Sequence, residues 1–213
     1  DTPVRAVKFA GRQPATGETV HVVGLHPDKR VVSQQATVAS IGPVAFPLSR
    51  TLQFRDANLE IMRLVNGPDD YDGLIVDRRG EVLALWSSFA YEDGRDLVQQ
   101  NLGVPAGIVQ EMLEYARDGR PLYSAEAEFG LLSLAEARRL GLGEEWIGRV
   151  SAHNPQRRQV LTIERTVAGS PAAALLRPGD LLLAVDGRIV NSFSDVSAAV
   201  RAVWWCTTCS SPR

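Results

Sequence analysis

Short apolar segments broken by turn residues set the pattern of the first hundred positions. Val20 to Val23, Gln35 to Ile41, Leu52 to Phe54, Leu59 to Leu64, Leu74 to Val76 and Val82 to Trp86 read as strands. Gly24–Pro27, Gly42–Pro43, Asn66-Gly67-Pro68 and Arg78-Arg79-Gly80 separate them. Strands this short and this regularly spaced predict a small antiparallel barrel or sandwich. The period then changes. Pro105 suits the first turn of a helix, Ile108, Val109, Met112, Leu113 and Ala116 fall on one face, and Gly119 is a natural stop. The break at Asp118-Gly119-Arg120-Pro121 predicts a linker.

The rest of the chain carries local signals of both kinds. Ser133-Leu134-Ala135-Glu136 has the spacing at which a hydroxyl and a carboxylate satisfy each other's backbone donors, so a short helix starts there and ends at Gly141. Val160 to Ile163 reads as a strand. Ser170-Pro171 caps a brief helix over Ala172 to Leu176. Leu181–Val185 is a strand, and Asp186-Gly187 fits a tight hairpin turn whose two central residues both need positive φ. Ser192 then caps a helix with Val196, Ala199, Val200 and Val203 on its apolar face.

Composition narrows the classes. At 45% hydrophobic with a net charge of −2, the 213-residue chain can bury one large core or two small ones, which excludes bulk disorder. No apolar run approaches the roughly 18–20 residues of a bilayer-spanning helix, so a soluble protein with no membrane partner is expected. Lys8 and Lys29 are the only lysines, and the 23 bases are offset by 25 acids. The arginine doublets at 78–79, 138–139 and 157–158 are dispersed, unlike a phosphate track, so no nucleic-acid partner is expected. The only cysteines, Cys206 and Cys209, sit at the end, where one C-x-x-C without a second ligand pair argues for neither zinc nor a disulfide framework. No metal or cofactor is expected. The chain opens at Asp1 without a charged-then-apolar leader, which reads as a processed form or a fragment and leaves the compartment unknown.

The run Ala168-Gly169-Ser170-Pro171-Ala172-Ala173, followed by Arg177-Pro178-Gly179-Asp180, the apolar strand and Asp186-Gly187, resembles the PDZ domains of HtrA/Do-like serine proteases. That resemblance implies binding of extended peptides or unfolded protein segments by strand addition. It places the carboxylate-binding loop and the following strand near Leu122-Tyr123-Ser124-Ala125-Glu126. Relatives usually have an apolar–Gly–apolar tripeptide there, against Tyr123-Ser124-Ala125 here. Val196 and Val200 would face the groove from the last helix; the other reading makes them core residues of an amphipathic helix.

The first hundred residues resemble the second β-barrel of the trypsin-like domain in the same family. Gly17 to Leu25 looks like its opening segment, and Asp72-Gly73-Leu74-Ile75-Val76-Asp77-Arg78-Arg79-Gly80-Glu81-Val82 runs along the family stretch G-G-P-L-V-N/D-x-x-G-x-V. The nucleophilic serine of G-N-S-G-G-P then falls on Tyr71, with Asp69 and Asp70 where the family has Gly and Asn. A phenol is too long to stand where a serine oxygen would. Acidic neighbours oppose an oxyanion: a like charge at about 4 Å costs roughly 4 kcal/mol at an effective dielectric of 20. In this fold the triad's His and Asp come from the first barrel, ahead of Asp1, and His21, His26 and His153 read as ordinary strand or surface residues.

Asn58-Leu59-Glu60-Ile61, Ala84-Leu85-Trp86-Ser87-Ser88-Phe89 and Leu140 to Ile147 look like the degenerate second half of the family's long tandem members. The expectation is a mainly β chain with short helices. A trypsin-like six-stranded half-barrel spans about 1–102, a linker helix 103–120, and a PDZ-like α+β domain 121–213, with an atypical, altered or truncated tail from 204. The chain is expected to be non-catalytic, a peptide-binding and regulatory module of an HtrA/Do-like protease. Neighbouring protease domains or self-association would supply its other contacts. Two alternatives stand beside this: a fragment of an active serine endopeptidase whose triad lies upstream, and a purely structural assembly module.

Overall fold

The computed structural model describes residues 6–44, 58–93, 95–119 and 124–208. The chain divides into two compact units, Asp1–Thr51 with Glu60–Pro121, and Leu52–Leu59 with Leu122–Arg213. The strand expected over Leu52 to Phe54 lies outside the described residues.

In the first unit, β1 (Thr19–Leu25), β2 (Val31–Pro43), β3 (Glu60–Val65), β4 (Gly73–Val76), β5 (Val82–Asp93) and β6 (Asp96–Pro105) close a barrel in the order β1-β2-β3-β6-β5-β4. Neighbours are antiparallel, and β4 returns to β1 through His21↔Val76 and Val23↔Leu74. Period-two patterning fills it: Val20 and Val22 are buried while Thr19, His21 and Val23 are half-buried. Ala36, Val38, Met62, Ile75, Ala84 and Trp86 complete the interior together with Tyr71. Near the start of β1, Arg12 grips Glu18 with two hydrogen bonds of 3.0 and 2.7 Å and reaches Asp77 at 3.6 Å. The Ala15 N–H also donates to Glu18. Chiefly through the Arg12 bonds, the Glu18 carboxyl is held below its ordinary range, against the opposing effect of its burial.

Strand β6 was not expected. Its sequence, Asp96-Leu97-Val98-Gln99-Gln100-Asn101, shows no clean alternation, and Leu97 is exposed. A long antiparallel ladder with β5, from Ala84↔Pro105 to Asp93↔Asp96, holds it instead. Pro105 consequently ends that strand and occupies the N-cap of α1 (Ala106–Asp118) rather than the helix's first turn, while Gly119 closes the helix in the left-handed region at φ 61°. Ala106 is the helix's buried residue; Met112 and Leu113, on the expected apolar face, are exposed.

The second unit holds a sheet of β7 (Ala127–Ser133), β8 (Gln159–Thr166) and β9 (Leu181–Leu182), with β7 on the outside. A hairpin of β10 (Ala184–Val185) and β11 (Arg188–Ile189) follows, so the single strand expected over Leu181–Val185 is interrupted at Leu183. Helices α2 (Leu134–Arg139), α3 (Glu144–His153), α4 (Pro171–Leu175) and α5 (Phe193–Thr208) complete the unit. The expected Ser133–Glu136 capping box and the Ser170 cap with proline behind it are both formed. Helix α3 was not expected. Its N-cap, Gly143, makes no side-chain bond that would announce a start. Successive residues of β8 serve different cores: Val160 packs with Leu134, Ala137, Ile147 and Val150, whereas Leu161 and Ile163 pack with Phe129, Phe193 and Val196. The tail, expected to be atypical from 204, continues α5 as far as Thr208. Cys206 therefore lies on a helix, and Cys209 lies outside the described residues.

Asp186 and Gly187 both adopt positive φ, 49° and 75°. Gly187→Ala should lower stability by about 1–2 kcal/mol in denaturant unfolding, the cost of left-handed backbone for an L-residue. Because the Glu18 pKa is lowered on folding, its contribution is present above its ordinary value near 4.5 and lost as pH falls through the folded value. Arg12→Ala should therefore flatten the loss of stability on acidification below that pH, read from unfolding curves across the acid range.

Candidate functional site

The loop between β3 and β4 is tied down at both ends. Asn66 turns with φ 57°, and its carbonyl accepts from Gln34 Nε2 at 2.8 Å. The Pro68 carbonyl then accepts the Trp86 indole N–H at 3.0 Å and the Asn101 amide at 3.3 Å. Asp69 and Asp70 remain exposed. Tyr71 instead turns into the barrel, 8% exposed, and its O–H donates to the Val22 carbonyl at 3.3 Å. Gly24 makes room: a Cβ there would stand 2.7 Å from Tyr71 Cδ2 and 2.3 Å from the Asp72 carbonyl oxygen. Asp72 is structural as well, since its Oδ1 accepts the Ser88 N–H at 3.0 Å. Burial first, and the Asp70 charge second, push the Tyr71 phenol above its usual range. The group at this position is thus a protonated phenol directed at a main-chain carbonyl, a geometry suited to packing.

The histidines are placed separately. His26 lies between two carboxylates, with Nδ1 3.1 Å from Asp28 and Nε2 3.3 Å from Asp70. His21 sits on β1 opposite Gln35 and Val76. His153 ends α3, 3.7 Å from Asp195. The approach of His26 to Asp70 has no sequence signal, because a loop contact across forty-odd positions follows from the β1–β4 pairing and not from spacing.

The second candidate site is the outer edge of β7. Tyr123 lies outside the described residues. Ser124 is exposed, and its Oγ accepts the Glu126 N–H at 3.0 Å. Glu126 is the left-handed residue of this loop, at φ 52°, and its carbonyl accepts the Val167 N–H at 2.9 Å. The positive φ of this loop thus falls two residues beyond Ser124. Glutamate gives no sequence warning of such a conformation. Ala125 packs half-buried against the cluster of Phe129, Phe193 and Val196. On α5, Val196 is buried at 4% exposure within that cluster, and Val200 is half-buried at its margin.

Asn58 lies against this edge. Its Nδ2–H donates to the Ala127 carbonyl at 2.8 Å, and its Oδ1 accepts the Phe129 N–H at 2.9 Å. Only this orientation of the carboxamide sets a donor against an acceptor at both ends. A lone asparagine ahead of β3 carries no pattern that would have singled it out.

A PDZ domain family profile matches residues 139–203. The chain is 29% identical over 206 residues to the pro-apoptotic serine protease NMA111 of Eremothecium gossypii, covering 94% of this chain and 20% of that one. It is 29% identical over 214 residues to Protease Do-like 7 of Arabidopsis thaliana, covering 88% and 19% respectively. The chain thus spans about a fifth of the length of these curated relatives. The solved HtrA-type protease AlgW with tripeptide is 17% identical, with a TM-score of 0.47, over 92% of this chain and 60% of that one.

Tyr71→Phe should cost about 1 kcal/mol, the worth of one buried hydrogen bond. Tyr71→Ser should cost about 3–5 kcal/mol by emptying the ring's place in the barrel. Paired denaturant melts of the two variants check the order, and equal, negligible losses would mean that the ring does not pack as described.

Proposed function

We propose that this chain, homologous to the HtrA/Do-like serine proteases and carrying a PDZ domain, is a non-catalytic peptide-binding and regulatory module. The observation that carries the reading is the inward Tyr71. At the place where the family resemblance puts the nucleophile, the Tyr71 hydroxyl is buried in the core and bonded to the Val22 carbonyl. Acyl transfer needs a short hydroxyl against a general base and backbone N–H groups aimed at the developing oxyanion. A phenol whose pKa is raised by burial, beside the charge of Asp70, opposes both requirements. The imidazole nearest this loop, His26, engages carboxylates.

Binding would fall to the second unit. An extended peptide adds to a sheet at an outer strand, taking affinity from main-chain hydrogen bonds and selectivity from side-chain pockets. Among the described residues strand β7 is at an edge of its sheet, and it continues from the Ser124–Glu126 loop. Ala125, Val196 and Val200 would shape the adjoining apolar floor, Val200 being the more accessible of the two valines, while Tyr123, Ser124 and Glu126 would frame the loop. A supporting role in assembly has its own observation: Leu25 and Val31, cross-strand partners at the end of the β1–β2 hairpin, are 60% and 75% exposed. Neighbouring protease domains or a second copy of the chain are the partners that such apolar positions suit.

A fluorophosphonate probe should leave the chain unlabelled, as read by intact-mass spectrometry; a covalent adduct would return the enzyme reading. Titration with peptides varied at their C-terminal residues should give saturable binding below about 1 mM. Failure to saturate would favour the purely structural module.

A further inference from the structure

From the peptide-binding reading above, on which this step rests, we infer that Asn58 is an internal stand-in for ligand at the β7 edge, which a peptide must displace in order to bind. Ala127 and Phe129 are two apart on β7, so their peptide groups point to the same side of the strand. On the other side of the sheet, Ile163, which faces Phe129 in the ladder, turns its own N–H and carbonyl to Asp180 and Gly179. The outward pair of groups on β7, the Ala127 carbonyl and the Phe129 N–H, is what an added strand would use.

Asn58 takes both. A primary carboxamide offers a syn N–H and a C=O that point the same way, as the N–H and C=O of a single residue in an extended strand do. At 2.8 and 2.9 Å it makes the two bonds that an N–H and a carbonyl on the facing side of a neighbouring strand would make. Phe129 is also the aromatic anchor of the core shared with α5, its ring centroid 6.2 Å from that of Phe193. The occupied groups therefore stand at the rim of the apolar floor assigned to the peptide. Both bonds lie within the second compact unit, to which Leu52–Leu59 belongs, so the stand-in is part of the same folded body as the strand it covers.

The energetic consequence is competition. An incoming peptide gains two main-chain hydrogen bonds only by losing two that already exist, so its net gain at these atoms is close to zero. Selectivity then rests on the parts of the ligand that reach past Ala127 and Phe129, and weak ligands are refused.

The test uses the full chain and a pool of fluorescein-labelled decapeptides varied at their last four positions. The pool is screened on Asn58→Ala, and its best single member is titrated against both proteins by fluorescence anisotropy. The expected result is binding about tenfold tighter to Asn58→Ala than to the unaltered chain, with faster amide exchange at Phe129 in the unliganded variant. Asn58→Asp serves where the alanine variant folds poorly. It keeps the side chain's size but sets a carboxylate oxygen against the Ala127 carbonyl, so it too should vacate the edge and tighten binding. Equal affinity for all three proteins overturns the inference and leaves the peptide-binding reading intact. No binding by any of them overturns both.

Discussion

Peptide groups along a strand need partners, and the two units meet that need in opposite ways. The first bends its sheet until β4 meets β1, so every strand of the ring has neighbours on both sides. Among the described residues, the main sheet of the second stops at three strands, with β7 at an edge. Closure and openness each bring the rest of the local structure with them. The closed ring must fill a narrow interior, which is why Tyr71, Trp86 and Met62 are drawn inward. The open sheet must do something with its outer groups, and a side-chain amide covers part of them.

The same contrast separates what could be read from the sequence from what could not. Signals confined to a few residues were legible. The hairpin at Asp186-Gly187 takes positive φ twice, Ser133 and Glu136 cap each other, and Ser170-Pro171 opens a helix, because each depends on stereochemistry within one turn. Barrel strands with alternating Val20 and Val22 were legible for a related reason: the pleat itself sets the period. Strand β6 was not, since its residues are chosen by the ladder with β5 rather than by burial of one face. Helix α3 lacked a start signal, and its Ile147 and Val150 acquire meaning only beside Leu134 and Val160.

The candidate site was legible in outline and not in detail. The sequence resemblance supplied only the expectation that Tyr71 falls at a serine position; that Gly24 leaves space for its ring, and that the Val22 carbonyl accepts its hydrogen bond, required the fold. The left-handed residue of the loop is Glu126, where a local bond from its N–H to Ser124 Oγ and a tertiary one from the Val167 N–H to its carbonyl hold a conformation that glutamate does not favour. Asn58 lies nearly seventy positions before the strand it bonds, a separation over which a single polar residue leaves no trace in any local pattern.

Strand β8 has a further consequence. With Val160 anchoring one hydrophobic cluster and Leu161 and Ile163 the other, it is the common wall of two cores. Neither layer of helices can peel away without stripping cover from a strand that the opposite layer also needs. The second unit should consequently melt as one cooperative block, with β8 the last segment to give up its backbone hydrogen bonds.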